Sequence, residues 1–322
     1  MSLIFYLQPI GMMPSQIRSD TIAGAIIWSL AKMGMDVEEL TNDKSLRVSS
    51  AYPFIALQNR RVHFGPKPKI PTSEAESFKE MIRRKKFSRI AYFQAEIINR
   101  IMRGEFCMDD IWRNDAEFRN FGGFLVEHST YCIIKPMFTG AVTYFASRER
   151  NEINRISGKA DNFFISYGYE YRNAGLYFLL EGSQRWRSEA VKGIRFLEER
   201  GIGGDISIGC GRFKFLGVNE GSPFNNPPEH DSIMTLSLYS PSQQEWSKAC
   251  ERNSKMFYSL VRRAGRSTDG NLKREAFFLG EGSIIPISSA EGTDVDLGTG
   301  GTKSLAWGRP FWIGFNSSKI SC

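Results

Sequence analysis

From the N-terminus onward, the spacing of the hydrophobic residues alternates between patterns typical of strands and patterns typical of helices. An apolar, β-like run at 3–10 is followed by a helical pattern in which Ile22, Ile26, Leu30 and Met33 recur every three or four residues. More apolar runs and a second helical pattern follow. They are a long run rich in Tyr, Ile, Phe, Val and Thr at 130–145, a run at 174–181, a helical pattern at 188–200 and a run at 213–216.

The predicted order is strand, helix, strand, strand, helix, strand. That order is typical of the ferredoxin-like fold, in which a four-stranded antiparallel sheet carries two helices on one face. The pattern is irregular between about 42 and 128, which we interpret as an insertion into a first domain at 1–217. A loop rich in Pro and Asn leads to strand-like runs within 230–322. We therefore predict an α+β protein with two ferredoxin-like (RRM-like) βαββαβ domains, the second smaller and irregular.

The composition of the chain limits the class of protein it can be and the kind of partner it can bind. The chain has 322 residues, a formal net charge of +7 and a pI near 9.1, which favours a polyanionic partner. The five cysteines never form a CxxC pair and the three histidines are scattered, so neither a metal site nor a cofactor is predicted. The most apolar stretch, 22–30, is too short to cross a membrane, and the first residues indicate a strand rather than a signal peptide. These features predict a cytoplasmic protein.

A glycine-rich loop joins the second helical pattern to the last strand of the first domain. Its glycines are Gly201, Gly203, Gly204, Gly209 and Gly211. Glycine adopts positive φ at little steric cost and lets backbone N–H groups approach an anion closely, which makes the loop a candidate phosphate site. Ser207 and Arg212 would add side-chain contacts. Taken alone, the same glycines are also typical of a helix C-cap followed by a flexible turn, and that alternative stays open.

Basic residues cluster in the polar segment 146–162, which we predict to be a hairpin. Its candidates for RNA contact are Arg148, Arg150, Asn151 and Arg155, and Lys67 lies in a separate basic loop. A solvated β-turn is the alternative for the hairpin. Nearby aromatic residues offer surfaces for base stacking, although their pattern is more typical of a core: Tyr144, Phe145, Phe163, Phe164 and Tyr167.

A further basic run, 79–89, has the spacing of a helix. Its charges are typical of a solvated helix face. Binding of RNA, or of an acidic patch on a neighbouring subunit, is the alternative for this run.

These motifs, in this order, resemble the RAMP superfamily of CRISPR–Cas proteins, and within it the type III-A Csm-complex subunits that cap the 5′ end of the CRISPR RNA (crRNA). The glycine loop has the form GxGGxxxxGxGxF, which many RAMP proteins share. The other matching segments are 19–21, 51–54, 65–68, 150–155, 280–283 and 307–311. The family often has a basic residue just after the Gly-Gly of the loop. This chain has Asp205 there, so phosphate contacts are expected from backbone amides or from Arg212.

The resemblance implies RNA binding without catalysis. A subunit of this kind holds the repeat-derived 5′ handle of the crRNA and contacts the large polymerase-like subunit and an adjacent backbone RAMP subunit. RNA contacts are then expected from Ser19, Lys67, the hairpin residues and the glycine loop. Because some RAMP relatives cut RNA, a metal-independent endoribonuclease is the alternative, with His63 and His128 as the candidate acid and base.

Overall fold

The structure is a computed structural model that describes residues 2–138, 142–251, 255–266, 271–299, 301 and 303–316. In chain order, the elements up to residue 220 are β1 (Leu3–Pro9), α1 (Ser19–Lys32), α2 (Val37–Asn42), β2 (Arg47–Val48), β3 (Tyr52–Ala56), β4 (Arg61–Pro66), α3 (Phe78–Ser88), β5 (Tyr92–Gln94), α4 (Ala95–Met102), α5 (Met108–Arg113), β6 (Phe118–Phe121), β7 (Phe124–Glu127), α6 (His128–Ile134), β8 (Thr143–Ile153), β9 (Ala160–Tyr171), β10 (Gly175–Glu181), α7 (Gln184–Arg200) and β11 (Phe213–Glu220). The later elements are β12 (Ser232–Thr235), α8 (Gln243–Glu251), β13 (Leu260–Arg263), β14 (Ala276–Leu279), β15 (Ile284–Ile285), β16 (Val295–Asp296), β17 (Leu305–Ala306) and β18 (Trp312–Phe315).

The first domain is built on antiparallel strands in the order β11-β1-β10-β3, with α1 and α7 packed on one face. This is the strand order of a ferredoxin-like fold. Strand β1 is apolar at nearly every position because both of its faces are covered. Phe5 and Leu7 pack beneath the two helices, whereas Ile4 and Tyr6 belong to the core on the opposite face.

The sheet continues from β3 through β4, β5 and β7 to β6 at its edge. Its face opposite α1 and α7 is covered by the helices of the 78–134 region and by the C-terminal half, from which Met234 and Phe311 pack among Tyr52 and Tyr177. RRM domains stack RNA bases on the aromatic residues of this face. Because Tyr52 and Tyr177 are fully buried, this face of the sheet is closed to base stacking.

The C-terminal half repeats the same strand order with less regular structure. Strand β12 pairs with β18 on one side and β15 on the other, and Phe257 bridges to Ile284 beyond β15. One helix, α8, follows β12, and the described residues between β15 and β18 form the short pair β16–β17 instead of a second helix. The predicted α+β fold, with a smaller and irregular second ferredoxin-like domain, is confirmed.

Buried polar contacts join the two halves. Arg18, at the start of α1, pairs with Glu281, which also accepts a hydrogen bond of 2.6 Å from the hydroxyl of Ser50. Arg309 pairs with Asp294 at 2.6 Å and donates to backbone carbonyls near the end of α2. The segments 280–283 and 307–311, which contributed to the family resemblance, therefore act in the contact between domains.

The structure corrects some of the predicted elements. The strand predicted at 130–145 is wrong: α6 and a 3-10 helix (Lys135–Met137) occupy its first part, because Thr130 and Ile134, one helical turn apart, are both buried. Residues 139–141 lie outside the described residues. The second strand of the first sheet, β2 and β3, lies inside 42–128, so the predicted insertion begins too early. Helix α7 starts at Gln184, because Ser183 caps it with a bond from the N–H of Trp186. The domain limits 1–217 and 230–322 stay predictions.

Candidate nucleic-acid interface

The neck of the glycine loop is a close backbone contact that excludes side chains. Ile202 N–H donates to Gly211 O at 2.9 Å, and Gly211 N–H donates to Met12 O at 3.0 Å. A Cβ on Gly211 would lie 2.2 Å from Ile202 O, and a Cβ on Gly201 would lie 3.0 Å from Gly211 O. Both glycines are buried and have positive φ. Gly201 and Gly211 thus shape the loop and do not face solvent.

The crown of the loop, which we define as residues 203–209, presents unused backbone donors. The N–H groups of the consecutive residues 203–207 find no acceptor among the described residues. Gly203, Gly204, Ser207 and Gly209 are exposed. Asp205 adopts the left-handed conformation (φ +56°), and its carbonyl accepts bonds of 3.2 Å from the N–H groups of Ile208 and Cys210. These internal bonds fix the backbone of the crown, and consecutive N–H groups without an internal acceptor suit an anion.

The predicted hairpin is present as β8 and β9, joined by the turn 154–159. Residues that pair across the two strands share a face, so its two faces differ in chemistry. One face carries Arg148, Arg150, Ser166 and Gly168. The opposite face carries the exposed apolar residues Phe145, Phe163, Ile165, Tyr167 and Tyr169, together with Ser147, Glu149 and Asn151.

The arginine face of the hairpin contacts the glycine loop. Arg150 donates to the hydroxyl of Ser166 at 2.8 Å and to the Sγ of Cys210 in the loop at 3.8 Å. At the base of the hairpin, Met13 forms a two-way backbone bridge with Tyr169 (2.7 and 2.8 Å). Because Met12 also binds the loop neck, the segment after β1 locks hairpin and loop together. The glycine loop and the hairpin, two separate motifs in the sequence, are therefore in contact.

The cations at this contact differ in availability. Arg148 pairs with Glu170 at 2.9 Å, and the hydrogen bonds from Tyr144 and Arg148 lower the pKa of the Glu170 carboxyl. Arg150, Arg155 and Arg212 form no ion pair within the described part of the chain. Arg155 and Arg212 are exposed, at the hairpin turn and at the end of the loop. An anionic strand laid along the crown would meet the charge of Arg150, whose guanidinium reaches the loop at Cys210, and that of Arg212 at the end of the loop.

A protein-family model shows which superfamily the chain belongs to. The model described as "RAMPs: RAMP superfamily" matches residues 16–214, which is more than half of the sequence and includes the glycine loop and the hairpin. The chain belongs to the RAMP superfamily. The sequence has no match among curated proteins.

Solved structures share the fold of this RAMP protein over nearly its whole length. A chain from the crystal structure of the Csm3–Csm4 subcomplex of the type III-A CRISPR–Cas interference complex matches with a TM-score of 0.70 and 17% identity, covering 98% of this chain and 100% of that one. A chain of the Csm1–Csm4 cassette in complex with pppApA matches with a TM-score of 0.60 and 18% identity, with 98% of both chains covered. A chain of the same cassette with AMPPNP gives 0.56 and 17%, again covering 98% of both.

Two of the predicted RNA contacts lie away from this interface. Ser19 is fully buried, and its hydroxyl accepts a 3.0 Å bond from the N–H of Leu238, so it belongs to the domain contact. It is the first residue of α1, not its N-cap. The ammonium of Lys67 donates to Phe87 O at 2.9 Å and lies 3.9 Å from the centre of that ring, while burial lowers its pKa to about 8. Neither residue belongs to the surface that the crown and the hairpin form.

Asn151 lies on the aromatic face of the hairpin, opposite the arginine face. The expectation that the neighbouring aromatics form a core is wrong. Phe145 and Phe163 are each 63% exposed and Tyr167 is 52% exposed, with Phe145 and Tyr167 stacked at a ring distance of 5.7 Å. These rings are accessible to a base or to another protein.

Sequence reasoning missed the segment after β1 and one glycine in β9. A Cβ on Gly168 would lie 2.4 Å from Met13 O and 2.6 Å from Met12 Cγ. Glycine inside a strand pattern signals the close approach of another backbone. The Tyr-Gly-Tyr sequence at 167–169 therefore carried a readable signal, whereas the sequence of 11–14 does not indicate its contact with β9.

The two histidines of the nuclease alternative are not brought together. His63 shares a hydrogen bond of 2.9 Å with the hydroxyl of Tyr6, and burial, with a smaller effect from the charge of Arg61, lowers its pKa to about 4. His128 lies on α6, with its Nε2 3.5 Å from the Sγ of Cys132. His63 is therefore neutral near pH 7, so the imidazolium that a general acid needs is scarcely populated.

Metal-binding and membrane-spanning features were searched over the described residues only. There, no group of three or more His, Cys, Asp or Glu side chains is arranged to hold a metal ion. None of the helices described is long and apolar enough to span a bilayer.

Proposed function

We propose that this RAMP protein is a non-catalytic, crRNA-binding subunit of a type III-A CRISPR interference complex, and that its loop crown and hairpin hold the 5′ handle of the crRNA. The observation that carries the proposal is the run of N–H groups at 203–207 without an internal acceptor, next to Arg150 and Arg212. Such donors bind phosphate oxygens without reading sequence.

The hairpin supplies the remaining requirements of a single-stranded RNA site. Arg150 and Arg155 neutralise phosphates on the loop side and at the turn. Ile153 and Ile156 are 62% and 100% exposed at the tip, where an apolar side chain suits wedging between nucleotides. Stacking of unpaired bases is served by Phe164, which pairs with Arg150 across the strands, shares the arginine face and is 42% exposed. RNA would therefore run from the crown along the arginine face toward the hairpin tip.

The partner subunits are part of the same proposal. The similar chains come from assemblies of Csm3 with Csm4 and of Csm1 with Csm4, and this chain matches them over nearly its full length. We infer that it contacts a large, Csm1-like subunit on one side and an adjacent backbone RAMP subunit on the other.

Reconstitution with the large subunit tests the function. Fluorescence anisotropy should show tighter binding of RNA that carries the repeat-derived handle than of the same RNA without it. Arg150→Ala and Arg212→Ala should each weaken binding by about threefold to tenfold and make the salt slope shallower by nearly one unit. Arg185→Ala is the matched control, because Arg185 is exposed at the start of α7 and pairs with Glu39 away from the loop. Equal affinity for the two RNAs would contradict the proposal.

The same reagents separate binder from nuclease. Labelled repeat RNA incubated with the protein in EDTA should remain intact. Specific cleavage that is lost in His63→Ala or His128→Ala would overturn the non-catalytic assignment.

A further inference from the structure

A groove outside the proposed RNA site runs between α3 and α5, next to the edge strand β6. Its volume is about 350 Å³. Ile82 on α3 and Trp112 on α5 form apolar walls, and the buried residues Phe118 and Leu125 lie at its base. Neither the glycine loop nor the hairpin contributes to it.

The rim of the groove is positively charged. Lys79, Arg83 and Lys86 all line it from one face of α3. Arg83 is neutralised by Asp115 on α5 at 2.9 Å. Lys79 and Lys86 are exposed and have no ion-pair partner in the portion of the chain that the structure describes. An occupant therefore meets two uncompensated cations above an apolar base.

Helix α3 also exposes apolar side chains to solvent, which is unfavourable unless a partner covers them. Phe78 is 74% exposed, Met81 is 52% exposed and Ile82 is 40% exposed. Contiguous exposed apolar surface rimmed by charge is typical of a protein interaction site. This helix face is thus unsuited to being a simple solvated surface.

We propose that the groove binds an acidic, apolar-containing segment of a partner protein, with carboxylates at Lys79 and Lys86 and an aliphatic or aromatic side chain against Ile82. The chemistry favours polypeptide over RNA. Single-stranded RNA needs exposed ring faces for stacking, but Trp112 and Phe118, which line the groove, are only 3% and 4% exposed, and Phe78 is not part of the groove lining. The aliphatic side chain of Ile82 suits an apolar anchor from a protein.

Binding to the full-length chain tests the proposal with three probes. They are a short fluorescein-labelled peptide of glutamate and leucine, the same peptide with glutamine for glutamate, and an oligo(U) RNA of similar length. The glutamate peptide should bind at least about tenfold more tightly than its glutamine counterpart, because charge pairing at the rim is lost in the latter.

Paired variants locate the peptide on the groove. Lys86→Glu and Ile82→Ser should each weaken the glutamate peptide by about threefold to tenfold. Lys85→Glu is the matched control for charge, since Lys85 is exposed on the same helix but does not line the groove, and Ile133→Ser is the apolar control, since Ile133 is exposed on α6 outside the groove. They should change the affinity by less than about twofold. Thermal melts of all four variants should show unchanged folding.

Other outcomes would overturn the proposal. These are failure of the glutamate peptide to bind, equal losses in Lys85→Glu and Lys86→Glu, or oligo(U) binding that Lys86→Glu abolishes and Lys85→Glu does not. The last result would identify the groove as an RNA site. Because the test uses no handle RNA, its outcome is independent of the function proposed above.

Discussion

Gly211→Ala should destabilise the protein through two separate effects at the neck of the glycine loop. Gly211 has φ of +75°, and forcing a residue with a Cβ into that region costs about 1–2 kcal/mol. The new Cβ would also lie 2.2 Å from Ile202 O. That oxygen is backbone and cannot rotate away, so the neck has to open, at a cost of about 1–3 kcal/mol.

Together these effects predict a loss of about 3 kcal/mol of unfolding free energy, or a fall in Tm of about 6–12 °C for a domain of this size. The loss follows from opening the bonds that tie Ile202 to Gly211 and Gly211 to Met12. Thermal melts followed by circular dichroism give the Tm, and urea titrations give the free energy.

Gly204→Ala is the matched control in the same loop. A Cβ at Gly204 meets no atom within 4 Å, and its φ lies outside the left-handed region. Its Tm should differ from that of the unmodified protein by less than about 2 °C. If Gly211→Ala melts with the unmodified protein, or if Gly204→Ala is the more damaging change, the assignment of neck and crown is wrong.

Three further predictions concern single charges. The pKa of His63 is lowered to about 4, so the stability that its neutral form contributes is complete above the unfolded pKa of about 6.5 and is lost as the pH falls toward 4. Urea titrations across that range should show the free energy of unfolding falling by up to about 3 kcal/mol, and by less in His63→Phe. Asp205→Asn removes a negative charge from the crown while keeping a residue that tolerates positive φ, so RNA affinity measured by anisotropy should rise by about twofold to threefold. Glu281→Gln leaves Arg18 without its counter-charge at the domain contact, and urea denaturation should show a loss of about 2 kcal/mol.

Local sequence signals predicted the parts of the fold that local physics determines. The helices α1 and α7, the outer strands and the glycine loop each have a periodicity or composition that few other structures share. The second strand was missed because β2 has two residues and β3 contains Pro53, so neither resembles a strand in isolation. Their pairing with β10 is a tertiary effect, and it is visible only once the sheet is assembled.

In the candidate site too, some features follow from the local sequence and others depend on tertiary contacts. Arg150 and the glycine loop were predicted from composition, and the structure joins them through Cys210. Ser19 and Lys67 were predicted from residue type and family resemblance, but each is used in packing. Nothing in the local sequence separates a serine that binds a neighbouring domain from one that binds RNA. The role of the segment after β1 likewise depends on contacts more than a hundred residues away, such as that between Met13 and Tyr169.

The geometry of the crown also explains why an acidic residue is tolerated in a proposed phosphate site. Asp205 sits at φ +56°, a conformation that Asp and Asn adopt more readily than Lys or Arg, and its carbonyl holds the N–H groups of Ile208 and Cys210. The backbone shape thus selects the residue, and in the proposed site the unused N–H groups at 203–207 would make the phosphate contact in place of a basic side chain. Neutral donors release no counterions, so the salt dependence of RNA binding should arise from Arg150, Arg155 and Arg212 and not from the crown.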